Sequence, residues 1–500
     1  MSLRRNVLAN YLGQAWVGAM GLAFIPLYVS YLGIEAYGLM GLFALIQAWL
    51  TLLDMGMTPT IGREMARFTA GDHVAQSIRN LLRSLEVLVF ALAALICMAV
   101  WAASGWIAGE WLRPAALSAD VVRNAIAVMA LVIALRFVES VYRSALFGLQ
   151  RQVWYNAVNA GLATLRGVGA VAVLALVSPT IGAFFAWQAA ISLLSVLVLA
   201  LGVHRALPRS PDPATASVTA LRTVWRFAGG MTGITFLAVL LTQVDKLLLS
   251  RMLSLQDFGY YAFASMVAGA LYLLVSPITT ALFPRLVEWV TQRDDAALAI
   301  AYHHGAQLVT IVSAPVALLL ALHGEGVLFA WSGDAALARS AGPILSALAV
   351  GTLLNCLMYV PYQLQLAHGW TSLTLKINMA AVAILVPALF WIVPRYGALG
   401  AACVWIVLNT GYLLIDIALM HRRILPAEKW RWYGHDVALP MLAAALGLGL
   451  LQPFAPSGSA RLPWIVYLGV SLSIACLAAA VSLRDLRGRM VVSLRAAVSS

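Results

Sequence analysis

Charged residues are scarce in this chain. Asp, Glu, Lys and Arg together make up 10% of its 500 residues, whereas 62% of the residues are hydrophobic. Soluble domains carry about 25% charged residues, so the composition excludes an ordinary soluble protein. Apolar runs of about 20 residues, each long enough to cross a bilayer, recur from end to end. We infer an all-α, polytopic membrane protein without a sizeable soluble domain.

Cysteines are also few, and motifs for catalysis are missing. The four cysteines, at positions 97, 356, 403 and 476, all lie in apolar runs. Their spacing matches neither a disulfide framework nor a metal site, so we interpret them as small core residues. We find no phosphate-binding loop, metal-ligand cluster or nucleophile–base pair. The sequence therefore predicts no catalytic residues, no metal and no cofactor.

The apolar runs predict fourteen membrane-spanning helices, and the basic residues predict their orientation. With the N-terminus in the cytoplasm, 23 of the 32 Lys and Arg residues fall in cytoplasmic segments, six fall outside and three lie within spans. This excess fits the positive-inside rule, which explains the net charge of +12 better than nucleic-acid binding does. Both termini are therefore predicted to be cytoplasmic. The predicted spans are residues 8–32, 38–62, 81–104, 122–147, 154–177, 181–203, 227–251, 258–284, 300–323, 339–366, 373–394, 399–420, 437–455 and 462–483.

An internal repeat organises these helices into two halves. The segment YLGIEAYGLMGLFAL (31–45) resembles MLSLQDFGYYAFASM (252–266) at an offset of 221 residues, which spans six helices and so preserves orientation. Parallel six-helix halves are a transporter architecture. The predicted domains are an N-terminal lobe (1–203), a cytoplasmic linker (204–226), a C-terminal lobe (227–420), two additional helices (421–483) and a cytoplasmic tail (484–500).

Polar stripes mark the first two helices of each half. The first helix carries Asn10 and Gln14, the second Gln47 and Asp54, and the seventh Thr242. Each set recurs with helical spacing and so shares one face. Such stripes favour a wet central cavity between the halves. The alternative is hydrogen bonding between neighbouring helices, which is common for polar residues in membranes.

Two arginines lie near the middle of predicted spans, at positions 136 and 166. Both stand at similar distances from the hairpin near residue 150, and Glu139 follows Arg136 by one turn, where the two can pair. One reading is a buried Arg–Glu pair that locks two helices together. The other is an anion site, because guanidinium groups suit phosphate.

A further pair of charges, Asp245 and Lys246, interrupts the seventh span within LLTQVDKLLLSRML (240–253). Neighbours on a helix point about 100° apart, so the two side chains face different surroundings. We expect both on the cavity wall, although Lys246 can also extend toward the outer face. Because carboxylates within a membrane can carry H⁺ or bind Na⁺, the coupling candidates are Asp54, Glu139 and Asp245.

Two stretches carry a family resemblance. PLYVSYLGIEAYGLMGLF, followed by LLDMGMTPTIGREMARF, lies within residues 10–68, and QVDKLLLSRMLSLQDFGYYAFA covers residues 243–264. Both resemble the polysaccharide transporters, or lipid-linked oligosaccharide flippases, of the multidrug/oligosaccharidyl-lipid/polysaccharide exporter superfamily. The likeness in span count and loop size extends along the whole chain.

The resemblance implies a V-shaped, MATE-like bundle of two six-helix lobes with two extra C-terminal helices. It implies a transporter in the cell inner membrane that turns a polyprenyl-diphosphate-linked oligosaccharide toward the periplasm by alternating access, for O-antigen, capsule or exopolysaccharide assembly. Basic cavity residues would hold the diphosphate or acidic sugars, and by position that role falls to Arg136, Arg166 and Lys246, with Arg63 at the inner mouth. A polysaccharide polymerase and glycosyltransferases are the expected protein partners.

Two alternatives stay open from the sequence. One is a multidrug/cation antiporter of the same superfamily, although the first helix lacks the acidic residue that drug exporters often place there. The other is a membrane-embedded glycosyltransferase, polymerase or ligase, which usually needs a large outer loop. The outer hairpins here are short, so we expect a transporter rather than an enzyme.

Overall fold

The computed structural model describes residues 3–54, 57–69, 71, 74–208, 212–216, 236, 239–458 and 460–483, with the backbone alone for residues 3–8 and 371. Throughout these residues the regular secondary structure is helical. The predicted tail, 484–500, and most of the predicted linker lie outside the described residues. The chain divides into two compact units, Met1–Gly259 and Tyr260–Ser500.

Long apolar helices build the first unit. A short 3₁₀ helix, Thr51–Asp54, follows the third helix, and a π-helical turn, Ile107–Trp111, ends the fifth. The helices are α1 (Leu3–Ala23), α2 (Ile25–Leu32), α3 (Ile34–Leu50), α4 (Met57–Thr69), α5 (Ala75–Trp106), α6 (Ala119–Gly148), α7 (Gln152–Leu176), α8 (Ile181–Ala206) and α9 (residues 239–252).

The second unit is also helical, and its first helix begins in the last residues of the first unit. Two π-helical turns, Tyr412–Asp416 and Trp432–Ala438, and a 3₁₀ helix, Pro426–Glu428, interrupt its later part. The helices are α10 (Leu255–Gly269), α11 (Leu271–Gln292), α12 (Asp295–Ser332), α13 (Ala335–Leu357), α14 (Tyr359–Ala367), α15 (Thr371–Gly411), α16 (Ile417–His421), α17 (Lys429–Arg431), α18 (Leu439–Leu451) and α19 (Arg461–Ser482).

Twelve helical segments of the described residues are long and apolar enough to cross a membrane. One of them, Ser372–His421, has 50 residues, and at 1.5 Å per residue it would be about 75 Å long, more than twice the roughly 30 Å of a hydrocarbon core. Gly397 breaks this segment with φ 58° and ψ −145°, a conformation essentially confined to glycine. The break lies between two predicted spans. Part of the seventh predicted span, 227–251, lies outside the described residues, and α9 is described only from residue 239. The all-α polytopic fold class is confirmed, with twelve candidate spans among the described residues.

The second predicted span differs from the structure. We expected one continuous α-helix over residues 38–62, but α3 ends at Leu50 and a 3₁₀ helix, Thr51–Asp54, follows it; α4 is described from Met57. Asp54 accepts hydrogen bonds from the Thr58 backbone N–H and hydroxyl. Asp commonly competes with helix hydrogen bonding in this way, which explains the break. A direct hydrogen bond therefore joins Asp54 and Thr58, and the two residues do not belong to one continuous helical stripe.

The repeat-related segments lie against each other in the first unit. A Cβ on Gly38 would lie 2.5 Å from the Leu255 carbonyl oxygen, and a Cβ on Gly259 would lie 2.4 Å from the Ile34 carbonyl oxygen. At the offset of 221, Gly38 corresponds to Gly259 and Ile34 to Leu255. The contact is thus reciprocal, and only glycine allows the backbones to approach so closely.

The core of the second unit gathers around α12. Its buried face includes Tyr302, and the π-helical turn 432–438 contributes Trp432, both with 0% exposure. Fully burying a large apolar side chain stabilises a water-soluble protein by about 1.5–3 kcal/mol. Within a bilayer, van der Waals packing between helices stabilises the fold instead, because the lipid is itself apolar. This packing fixes the segment before α18 against the first half of α12.

Candidate functional site

A cavity of about 530 Å³ lies within the first unit, among α3, α4, α6 and α7. Five of the residues singled out from the sequence line it, namely Gln47, Asp54, Arg136, Glu139 and Arg166. They come from three helices and one 3₁₀ turn, so the fold brings together charges that are up to 112 residues apart in sequence (54 to 166).

Arg136 projects from α6 toward α3. Its Nη1 donates a hydrogen bond of 3.1 Å to Gln47 Oε1, and its guanidinium carbon lies 5.0 Å from the centre of the Phe43 ring. The Nε–H group is buried and has no hydrogen-bond acceptor. Gln47 and Phe43 hold one end of the guanidinium in place, while a donor is left for another acceptor.

Arg166 approaches from α7 on the other side. Its Nη2 lies 4.0 Å from Glu139 Oε2, and the two side chains are 22% and 16% exposed. The buried Nε–H and Nη2–H groups form no hydrogen bond. The expected pairing of Arg136 with Glu139 is therefore replaced by an ion pair between helices, because Arg136 extends to α3 and leaves Glu139 to Arg166.

Both arginines stand deep in the span. Arg136 precedes the end of α6 by 12 residues (136 to 148), and Arg166 follows the start of α7 by 14 residues (152 to 166). At 1.5 Å per residue these distances are about 18 and 21 Å, so the two guanidinium groups lie at similar depth. A charge near the middle of a bilayer costs at least about 2.5–3.5 kcal/mol, so a pair at this depth needs compensating contacts from its surroundings.

The cavity carries net positive charge. Arg136, Arg143 and Arg166 contribute three positive charges, and Asp54 and Glu139 contribute two negative ones, which leaves +1. Asp54 already accepts from Thr58 in the first turn of α4. An anion that enters meets arginines with unsatisfied donors.

The cavity opens to the surface at one end. Arg143, Thr51 and Pro59 line it there and are exposed, whereas Ile133 and Phe137 line it deeper in the unit and are buried. The open end lies beside the 3₁₀ turn and α4, on the side predicted to be cytoplasmic. A headgroup in the cytoplasm would meet Arg143 before the two deeper arginines.

Comparison with known families decides the classification. A model of the family described as "Polysaccharide biosynthesis protein" matches residues 3–290, more than half of the chain. The chain belongs to the polysaccharide biosynthesis protein family. The match includes the whole first unit with its cavity.

One relative of this family member is named as a transporter. The "Putative O-antigen transporter" of Shigella flexneri is 22% identical over 405 residues, which make up 81% of this chain and 94% of that protein. This agrees with the expectation of a transporter rather than an enzyme.

Solved structures place the fold. Lipid II flippase MurJ, in an inward closed conformation, matches with a TM-score of 0.70 at 10% identity, over 96% of this chain and 99% of that chain. An inward-facing multidrug resistance MATE family transporter of the MOP superfamily matches with a TM-score of 0.60 at 14% identity, over 86% and 96%. At these identities the likeness concerns the fold alone, and it confirms the predicted MATE-like class.

Asn10 and Gln14 of this family member do not line the cavity. Asn10 Nδ2 donates to Gln152 Oε1 at 2.9 Å, and Asn10 Oδ1 accepts from Asn156 Nδ2 at 2.6 Å. Gln14 is exposed. For Asn10 the structure favours the alternative of hydrogen bonding between helices, here between α1 and α7.

The remaining predicted residues lie away from the cavity as well. Arg63 on α4 is 45% exposed and donates to Glu64 at 2.8 Å. Asp245 and Lys246 lie on α9 and are both half-buried, and Thr242 is exposed and donates to the Val239 carbonyl. Their predicted roles in binding or coupling stay predictions.

Several cavity residues were missed by the sequence analysis. Tyr155 and Asn159 share the face of α7 that carries Arg166, at spacing i, i+4 and i+11, and Ser140 shares the face of α6 that carries Arg136. Helical spacing could have predicted these residues from the sequence, as it predicted the other polar stripes. The spacing would have to be counted from Arg136 and from Arg166.

The arrangement is suited to binding and not to bond breaking. Its donors are guanidinium and amide groups, and in the part of the chain that the structure describes no group of three or more His, Cys, Asp or Glu side chains is arranged to hold a metal ion. Phosphate and carboxylate groups match guanidinium donors best. The side chains that line the site are therefore better matched to an anion than to a cation.

Proposed function

We propose that the protein flips a polyprenyl-diphosphate-linked oligosaccharide from the cytoplasmic to the periplasmic leaflet by alternating access, for O-antigen, capsule or exopolysaccharide assembly. Membership of the polysaccharide biosynthesis family and the name of the Shigella flexneri relative support this proposal. The excess of basic residues in alternate loops supports a place in the cell inner membrane with both termini in the cytoplasm.

One observation carries the proposal, namely the buried donors of the two deep arginines. Arg136 Nε and Arg166 Nε and Nη2 have no hydrogen-bond acceptor. Buried polar groups almost always form hydrogen bonds, so these donors are available to an acceptor on a bound substrate. The oxygens of a diphosphate provide several acceptors with two or more negative charges, and bidentate contact with guanidinium groups is their strongest form of recognition.

The size of the cavity indicates which part of the substrate it receives. Its volume of about 530 Å³ lies within the range of about 300–1,000 Å³ that is typical of small-molecule sites. A diphosphate with its first sugars fits such a volume, whereas a long oligosaccharide extends beyond it. Recognition would then depend on the shared linkage and tolerate different distal sugars.

Other residues have proposed roles at different stages. Arg143 at the open end receives the headgroup, with Arg63 on α4 at the same side, and Lys246 contacts it later in the cycle. H⁺ or Na⁺ coupling through Asp54, Glu139 or Asp245 remains part of the proposal. A polymerase and glycosyltransferases that make or consume the glycan are the expected partners.

Export measurements in cells test the proposal. Arg136→Gln and Arg166→Gln each remove one charge while keeping a polar side chain, and charge-assisted hydrogen bonds contribute about 1.5–3 kcal/mol, so we expect export to fall about 10- to 100-fold. Surface glycan would be quantified by immunoblot in cells that lack the chromosomal copy, with the amount of protein in the membrane measured alongside. Arg123→Gln is the matched control, because Arg123 is exposed on the same helix, where it pairs with Asp120.

Each outcome has a clear meaning. Loss of export with normal membrane levels in both deep variants, and normal export in Arg123→Gln, supports the anion site. Normal export in both Arg136→Gln and Arg166→Gln overturns it. Extrusion of cationic dyes that follows expression of the wild-type chain would favour the antiporter alternative, which the net positive charge of the cavity argues against.

A further inference from the structure

A buried histidine stands between two carboxylates in the second unit. His303 on α12 is 1% exposed; its Nδ1 contacts Asp436 Oδ2, and its Nε2 lies 2.8 Å from Glu428 Oε2. Asp436 lies in the π-helical turn 432–438 and is 0% exposed. Gln307 Nε2 donates to the other Asp436 oxygen at 2.8 Å.

Hydrogen-bond rules require an additional proton in this group. A neutral imidazole has one N–H and one nitrogen with a lone pair, whereas an ionised carboxylate can only accept. If His303 were neutral between two ionised carboxylates, one nitrogen lone pair would face a carboxylate lone pair at hydrogen-bond distance, either at the fully buried Asp436 or at the partly exposed Glu428. Such a mismatch is repulsive, and it is most costly at the Asp436 end, where water is excluded. One proton must therefore be added, either on the imidazole or on a carboxyl group.

The surrounding charges agree with one bound proton. Arg431 Nη1 lies 3.7 Å from Glu428 Oε2, so the four groups His303, Asp436, Glu428 and Arg431 sum to zero when the proton is present and to −1 when it is absent. Other titratable or charged groups near the site belong to α12, α16, α17 and the turn 432–438. They are Tyr302, His304, His421, Lys429, Tyr433 and His435.

Water reaches one end of the group and not the other. The side chains of Glu428, His435 and Arg431 are 26%, 42% and 55% exposed, whereas Asp436 is fully buried. A proton can thus pass between solvent and His303 by way of Glu428.

We propose that His303, Asp436 and Glu428 form a proton-binding site that holds one proton between its two carboxylates and fastens the segment 426–438 to α12. The site belongs to the second unit and is separate from the arginine cavity of the first. It does not depend on the proposed flippase function, and none of its residues was a coupling candidate from the sequence.

The pH dependence of unfolding tests this proposal in the full-length chain. Above about pH 6.5 an exposed imidazole is neutral and carboxylates are ionised, so the unfolded chain does not hold this proton. A folded site that keeps it becomes less stable as pH rises, and the unfolding equilibrium constant increases by about tenfold per pH unit for each proton. The constant would be measured from pH 6 to 9 by adding sodium dodecyl sulfate to dodecyl maltoside micelles.

Two variants remove the need for the proton. His303→Gln replaces the imidazole by a neutral amide. Glu428→Gln leaves one carboxylate and supplies an amide N–H to the bare imidazole nitrogen, and because Glu428 is partly exposed this variant should fold even if His303→Gln does not. In both variants the roughly tenfold increase of the unfolding equilibrium constant per pH unit, which corresponds to one proton, is expected to disappear.

His304→Gln is the matched control, because His304 is the next residue on α12 and is exposed. It should keep the wild-type slope. The proposal is overturned if the wild-type chain and Glu428→Gln show the same slope. It is equally overturned if His304→Gln loses the slope, which would place the linked proton elsewhere.

Discussion

Substitution of Glu139 by Gln should strengthen anion binding in the arginine cavity. Glu139 Oε2 lies 4.0 Å from Arg166 Nη2, so Glu139 is an ion-pair partner of this arginine. An incoming diphosphate competes with Glu139 for the same guanidinium group. Glu139→Gln removes that competition and raises the net charge of the cavity from +1 to +2.

The distance sets the magnitude. Opposite charges 4 Å apart attract by about 1 kcal/mol in water and by about 4 kcal/mol at an effective dielectric constant of about 20. Glu139 and Arg166 are 16% and 22% exposed, and the cavity is open at one end, so the attraction lies toward the lower value. A gain of about 1–2 kcal/mol corresponds to binding that is about 5- to 30-fold tighter.

Calorimetry on the purified chain in nanodiscs measures this effect. Farnesyl diphosphate is a suitable probe, because it joins a diphosphate to a short prenyl chain. Asp120→Asn is the matched control, since Asp120 pairs with Arg123 at 3.2 Å in an exposed place and should leave the dissociation constant unchanged. Equal or weaker binding by Glu139→Gln would refute the view that Arg166 holds the anion.

Two further predictions concern stability. Glu35→Gln should destabilise the chain by about 1.5–3 kcal/mol in denaturant titration. The Glu35 carboxylate accepts hydrogen bonds from the backbone N–H groups of Ala115, Ala116 and Leu117, and in the variant an amide nitrogen would face one of these donors. An unchanged unfolding midpoint would contradict this interpretation. Asn10→Ala should lower the free energy of unfolding by about 0.6–2 kcal/mol, because hydrogen bonds between α1 and α7 are lost. Farnesyl diphosphate binding should be unchanged. A change in binding would show that Asn10 contributes to the anion site.

Several residues that line the cavity stood out in the sequence because polar residues are rare in an apolar chain, although the sequence pattern suggested a cavity between the halves and not within the first unit. Gln47, Asp54, Arg136, Glu139 and Arg166 stood out against their surroundings, and all five line the same cavity. The similar depth of Arg136 and Arg166 followed from counting residues to the hairpin near position 150. Hydrophobicity and helical rise were sufficient for this part.

Partners were less predictable than positions. The spacing of Arg136 and Glu139 on one helix suggested a pair, but the contact forms between Glu139 and Arg166 because α7 packs beside α6. Asn10 was grouped with the cavity, yet it binds Gln152 and Asn156 on α7. Spacing along one helix cannot show how far a neighbouring helix is rotated about its axis.

The proton-binding group shows the same limit more clearly. His303 and Asp436 are 133 residues apart, and each lies in a stretch where no motif marks it. Asp436 lies in the π-helical turn 432–438, and π-helical turns are rare, so the regular helical spacing used for the sequence analysis does not anticipate this position.

The amino-acid sequence by itself determined that the protein is a helical membrane protein with many apolar helices. The reason is that bilayer thickness demands long apolar runs, which are visible in a linear sequence. Only the tertiary structure decided which polar groups meet inside the membrane, that the arginine cavity lies within the first unit, and that His303 lies between two carboxylates. These outcomes depend on helix rotation and packing, which residue order along a single helix does not specify.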